Sequence, residues 1–244
     1  MQGLQQHGGG HYQQTVADAS VDERSSFLVR TYLHLVGAIF AFVAIEAVLV
    51  VTGVAEMIMQ VVAANRFAWM LLIGAFIGVS YLAEKWARND TSKAMQYAGL
   101  LAYTVFEAII FAPLILIAMF VATQESGNPF AILGKGGLIT VVLFAGLTGV
   151  VMITRKDFSF LRSFIMFGSF AALLMIVVSI IFGFQLGLWF MWAMVMLAAG
   201  SILYNTSNVL HHYRTDQHVA ASLNLFASFA LLLYYVLMIL SSRR

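Results

Sequence analysis

The chain of 244 residues contains no cysteine and only two prolines, and just 10% of its residues are charged. Without cysteine there is no disulfide and no thiolate, nucleophilic or metal-binding; the redox compartment stays open. The shortage of charge excludes more. A soluble domain of this size could not cover its core, because 61% of the residues are apolar and the mean hydropathy is +0.90. The solvent is therefore largely lipid. A GxSxG elbow is also missing, which leaves an intramembrane serine hydrolase only a distant alternative. The net charge of +2 comes from short loops and does not indicate a nucleic-acid partner. No linker or shift of composition splits the apolar region into two domains.

What is present is one hydrophobic stretch after another. A bilayer core takes about 20 apolar residues per helix, and the chain supplies seven such segments: Thr31–Thr52, Phe67–Ala83, Ala94–Val121, Leu138–Thr154, Phe160–Phe184, Leu188–Leu210 and Val219–Leu240. Helices satisfy every backbone group internally, whereas the alternating ten-residue segments of a membrane barrel are absent. The expected fold is an all-α integral membrane protein with seven transmembrane helices. The longest loop expected between them is about Ala122–Gly137, too short to fold alone.

Lysine and arginine set the expected orientation. Arg24, Arg30, Lys85, Arg88, Lys93, Arg155, Lys156, Arg162 and Arg214 fall on one side, against Arg66, Lys135, Arg243 and Arg244 on the other. The amino terminus is thus expected in the cytoplasm and the carboxyl terminus opposite. Residues Met1–Ser26 are rich in Gln, Gly, His and Ser and hold no apolar run, so they read as a cytoplasmic polar tail, disordered through about Ala19, with residues 27–244 forming the membrane domain. His7 and His11 flank a Gly triplet in this tail and read as part of it, not as metal ligands.

The few polar residues within the apolar segments are the candidates for function. Glu46 lies two-thirds along the first segment and Glu107 midway along the third. A carboxylate at the bilayer centre costs about 3 kcal/mol on lenient insertion scales, so each should face the bundle interior, neutral or hydrogen-bonded. Both are candidates for a proton or cation pathway. Pro113, six residues after Glu107, frees the carbonyl of Ile109 as a possible cation contact. Gly74 and Gly78, Gly146 and Gly149, and the run Ala198–Ser201 read as sites of close helix approach. Trp69, Trp86, Trp189 and Trp192 read as interfacial anchors. On the last segment Ala220, Asn224, Ser228 and Leu231 form a small, polar stripe at helical spacing, which favours a place at the bundle centre. Asn205 and Ser228 could meet if the last two segments pack antiparallel. The loop between them carries His211, His212, His218 and Asp216 without regular metal spacing.

Three stretches are distinctive together. Thr154-Arg155-Lys156-Asp157-Phe158-Ser159-Phe160-Leu161 resembles the T-x-K-D-[FML]-S-x-L signature of the Bax inhibitor-1 (TMBIM) family. Ile202-Leu203-Tyr204-Asn205-Thr206-Ser207-Asn208 resembles its I-L-[YF]-[DE]-T-S-x, and Val219–Phe226, which includes Asn224, its V-A-A-x-L-x-L-Y. The motifs stand in order on the right segments, so the resemblance covers the chain from about Thr31 onward. It marks Lys156, Asp157, Ser159, Thr206, Asn208 and Asn224 as motif residues. It implies six helices around a central seventh, no cofactor, and no conventional catalysis. Family members are described as calcium-permeable, proton-sensitive leak proteins or regulators of cell death and stress, and the bacterial YccA-like branch as modulating a membrane-anchored AAA protease. A bacterial inner membrane is the expected location. The calcium-leak members carry an Asp on each of the last two helices as a pH-sensitive latch. At those positions this chain has Asn205 and Ser228, and neither ionises. The resemblance therefore implies a regulator of a membrane protease or stress response, with a calcium or other cation leak of altered gating as the alternative.

Overall fold

The computed structural model describes residues 15–89 and 92–242. The described residues form eight helices: α1 Val21–Val51, α2 Val54–Ala64, α3 Arg66–Ala87, α4 Lys93–Ser126, α5 Ala131–Thr154, α6 Leu161–Phe182, α7 Leu188–His211 and α8 His218–Ser241. All but α2 are long and apolar enough to cross a membrane. The protein is a multi-pass helical membrane protein, and the seven expected segments are α1 and α3 through α8. The additional helix, α2, has 11 residues and spans about 16 Å at 1.5 Å per residue, half a bilayer core.

The first helix begins ten residues earlier than its apolar stretch. Ser20 caps it: the Ser20 hydroxyl accepts from the Glu23 amide, and the Glu23 carboxylate accepts from the Ser20 amide. This reciprocal pair satisfies two amides that would otherwise lack partners. Its buried residues Phe27, Thr31, Leu35, Ala38, Phe42 and Glu46 recur every three or four positions, so one stripe faces the bundle and the rest faces lipid.

The tail also differs from expectation over its described part. Thr15–Asp18 form a turn, and Thr15 bridges to Arg214. The Val16 amide donates to the Tyr213 carbonyl at 2.9 Å, and Val16 is fully buried. The Arg24 guanidinium donates to the carbonyls of Val16 and Ala17. Backbone pairing and one apolar contact thus order a stretch whose composition reads as disordered. His7, His11, Arg243 and Arg244 lie outside the described residues.

The wide loop expected at Ala122–Gly137 is replaced by helix. Ser126 and Ala131 belong to α4 and α5, and only four residues connect them, with Gly127 at φ +70° closing α4. The polarity of Thr123–Ser126 does not break the helix because the Thr123 and Ser126 hydroxyls donate to backbone carbonyls one turn back.

The helix α8 lies at the centre. It packs against α1, α3, α4, α5 and α7 and is buried along most of its length. Peripheral α6 packs on α7 and α3 and buries only Ala172. The glycines expected to mediate close approach do not do so: a Cβ added at Gly74, Gly78, Gly146 or Gly149 meets nothing within 4 Å. The close approach occurs at Gly99, where a Cβ would lie 2.5 Å from the Ala83 carbonyl oxygen and 2.9 Å from the Ala87 nitrogen. There α3 and α4 touch backbone to backbone.

Candidate functional site

The α7–α8 contact is a chain of neutral hydrogen bonds. The Asn205 side-chain amide donates to the Ser228 hydroxyl at 2.8 Å and to the Asn224 carbonyl at 3.3 Å. Ser228 in turn donates to the Asn224 carbonyl at 3.0 Å. The Asn224 side-chain amide donates to the Tyr213 hydroxyl at 2.8 Å, extending the network to the loop beneath. Ala220 and Ser228 are buried and Asn224 is half-buried, so the small stripe of the last segment faces protein. Neither of the two side chains that bridge the helices, Asn205 and Ser228, is a carboxylate, so the bridge keeps its charge state.

The motif of the α5–α6 loop reaches the same helix from the other side. Arg155 adopts φ 52°, left-handed for a non-glycine residue, and turns the chain out of α5. Asp157 then accepts from the Ser159 amide at 2.8 Å and from the Ser207 hydroxyl of α7 at 3.3 Å, and Ser207 accepts from the Phe158 amide. The Ser159 amide, foremost, and the Ser207 hydroxyl hold the Asp157 carboxyl below the usual carboxylate range. His212 stands 3.9 Å away. Lys156 is exposed. Thr206 is fully buried beside Tyr32 and Thr148. Asn208 joins Ser159, Arg88, Arg162, Tyr204 and His212 around a polar cavity of about 320 Å³.

Glu46 and Glu107 are both 6% exposed, but they open onto different cavities. Glu46 faces one of about 440 Å³ between α1, α4, α5 and α8, and neither carboxyl oxygen has a hydrogen-bond partner. Glu107 faces one of about 350 Å³ between α3, α4, α6, α7 and α8. It accepts a hydrogen bond from Tyr103 one turn earlier, and its Oε2 has no partner. The structure thus joins Asn205, Ser228 and Asn224 in one network, joins Asp157 and Ser159 in a second, and leaves the two glutamates apart from both and from each other. Pro113 is buried in an unbroken α4. The loop histidines scatter: His211 contacts the Ser207 carbonyl, His212 faces Asp157, and His218 packs on the His34 ring.

Two participants are not evident from polarity alone. Tyr213 reads as a loop residue, and Ser207 as part of a motif without an assigned partner. A tyrosine placed between two apolar helices is a hint for the first, but its partner, Asn224, lies on another helix.

These features coincide with a family. The sequence profile described as "Inhibitor of apoptosis-promoting Bax1" matches residues 24–244. The chain belongs to the Bax inhibitor-1 family. An uncharacterized protein of Pseudomonas aeruginosa is 30% identical over 163 residues, covering 66% of this chain and 68% of the relative. The Modulator of FtsH protease YccA of Escherichia coli K12 is 26% identical over 166 residues, 65% of this chain and 68% of that protein. An uncharacterized membrane protein of Vibrio cholerae is 25% identical over 183 residues, covering 73% and 76%.

Proposed function

We propose that this protein is a non-catalytic regulator in a bacterial inner membrane that modulates a membrane-anchored protease, with its amino-terminal side in the cytoplasm. The likeness to YccA supports the reading of a modulator. The observation that carries the choice over a gated leak is the α7–α8 contact. Asn205 and Ser228 meet at 2.8 Å where a proton-sensitive latch would need two carboxylates. A hydrogen bond between neutral groups closes the gap at any physiological pH. The proposed contact surface is the ordered cytoplasmic end: the turn Thr15–Asp18, the Asp157 loop and the α7–α8 loop.

The test is the half-life of a membrane-protein substrate of the protease in cells lacking, containing and overproducing this chain. Modulation changes the half-life in a dose-dependent way, and site-specific photocrosslinkers at Lys156 or Asp216 capture the protease. An unchanged half-life at all three levels would refute the proposal.

A second reading, a calcium or other cation leak, is favoured by one observation. Glu46 and Glu107 each place an unpartnered carboxyl oxygen against a cavity in the membrane. Calcium flux in liposomes separates the readings: a leak through the Glu107 cavity is lost in Glu107→Gln and one through the Glu46 cavity in Glu46→Gln, whereas the regulator carries little flux.

A further inference from the structure

The cavity at Glu107 has aromatic walls that neither reading uses. Its walls carry Trp69 and Phe76 of α3, Phe190 of α7, and Tyr234 and Tyr235 of α8. Among the described residues that line it, Glu107 is the only acidic group and none is cationic. By their places along the helices, Phe76 and Glu107 lie at mid-membrane depth, whereas Trp69 and Phe190 belong to helix ends. The cavity therefore runs from an interfacial mouth to a carboxyl at its floor. The aromatic wall is braced: behind it Tyr234 packs edge-on against Phe111 at 5.1 Å and Phe76 against Tyr103 at 5.6 Å, and within it Tyr235 packs against Phe190 at 6.1 Å.

Three candidate occupants can be weighed. A neutral apolar molecule would seal Oε2 of Glu107 in a still drier environment with no partner, which is costly. A calcium ion requires six to eight oxygen ligands, and the floor offers one carboxyl and tyrosine hydroxyls. A large, weakly hydrated organic cation satisfies both features at once, because aromatic rings attract such a cation and the carboxylate offsets its charge. The volume of about 350 Å³ falls within the range of small-ligand sites.

We propose that this cavity binds an organic ammonium ion with apolar substituents, its charged head on Glu107 and its body among Trp69, Phe76, Tyr234 and Tyr235. The shared chemistry is a substituted ammonium group, carried by a free amphiphilic amine or by a choline lipid headgroup.

The test uses the full chain purified in a maltoside detergent and titrated by calorimetry with benzyltrimethylammonium. Saturable binding is expected, with neopentylbenzene, its neutral isostere, competing at least tenfold more weakly. Glu107→Gln lowers affinity at least tenfold, while Glu125→Gln, at the exposed end of α4, leaves it unchanged. If Glu107→Gln fails to fold, Trp69→Leu is read instead, and a loss of several-fold is expected from removing one aromatic wall. Displacement by monomeric dihexanoyl phosphatidylcholine assigns the site to a lipid headgroup, and displacement only by free ammonium ions assigns it to an amine. Absence of saturable binding, an isostere that competes equally, or a folded Glu107→Gln or Trp69→Leu protein of unchanged affinity overturns the proposal.

Discussion

Ser228 shows how much a single side chain decides. It is 3% exposed, hydrogen-bonded to Asn205 and backed by Asn224, so no room remains for a larger group. Ser228→Leu overpacks the site and removes one of the two acceptors of the half-buried Asn205 amide, with an expected cost of about 1–3 kcal/mol read as a lower melting temperature in detergent. A melting curve that superimposes on that of the native protein would contradict this packing. The same two positions test the leak. Native protein in liposomes is expected to show no step in calcium flux between about pH 6 and 8, and Asn205→Asp with Ser228→Asp is expected to introduce one, because such a pair shares a proton. A steep native response that survives Glu107→Gln would refute the account. Asp157 makes a different claim. Its carboxyl titrates below the usual range when folded, so its stabilising contribution is complete above the unfolded value, near 3.9, and fades as pH falls through the lower folded value. Melting of the native protein should therefore fall more steeply than that of Asp157→Asn between about pH 5 and 3. Parallel curves would show that the Ser159 and Ser207 contacts do not favour the ionised form.

Between elements, the decisive contact is the α3–α4 crossing at Gly99. A methyl group there would collide with the Ala83 carbonyl, and backbone cannot step aside as a flexible side chain can. Gly99→Ala is expected to cost about 1–3 kcal/mol by forcing the helices apart. Gly74→Ala, in open space, should be neutral or stabilising by up to about 1 kcal/mol, since alanine is the better helix former. Equal melting temperatures for the two variants would show that the crossing is not a close one. The GxxxG spacing is plain in the sequence, but whether such a face meets a neighbour depends on how α3 is rotated, and its partner lies on a different helix. The same holds for the start of α1. The capping residues Ser20 and Glu23 extend it into a region whose composition is polar, because a capped helix needs no apolar face in its first turns.

Across the whole molecule, seven helices are long and apolar enough to span, and α2 is too short to add a crossing, so we propose that residue 15 and residue 242 stand on opposite sides of the membrane. Reporter fusions at the two ends should report opposite compartments, with the amino-terminal one cytoplasmic by the distribution of lysine and arginine. Two reporters in one compartment would require six or eight crossings. The central position of α8 gives this topology its functional consequence. Both glutamate cavities and the Asn205 contact share walls of one helix, so a movement of α8 alters all three.

The sequence by itself determined the class of solvent, the number of spans and the centrality of the last helix. Each depends on the kind of side chain and its spacing along one helix, which local periodicity records. The three family motifs likewise stand in the chain as written. Only the tertiary structure decided that Glu46 and Glu107 open onto separate cavities, that Tyr213 completes the Asn205–Ser228 network, that Gly99 and not Gly74 is the point of contact, and that Thr15–Asp18 clasps the α7–α8 loop. These depend on the rotation and crossing of helices far apart in the chain. A small change in helix rotation leaves every local pattern intact while moving a buried carboxyl from one cavity to another.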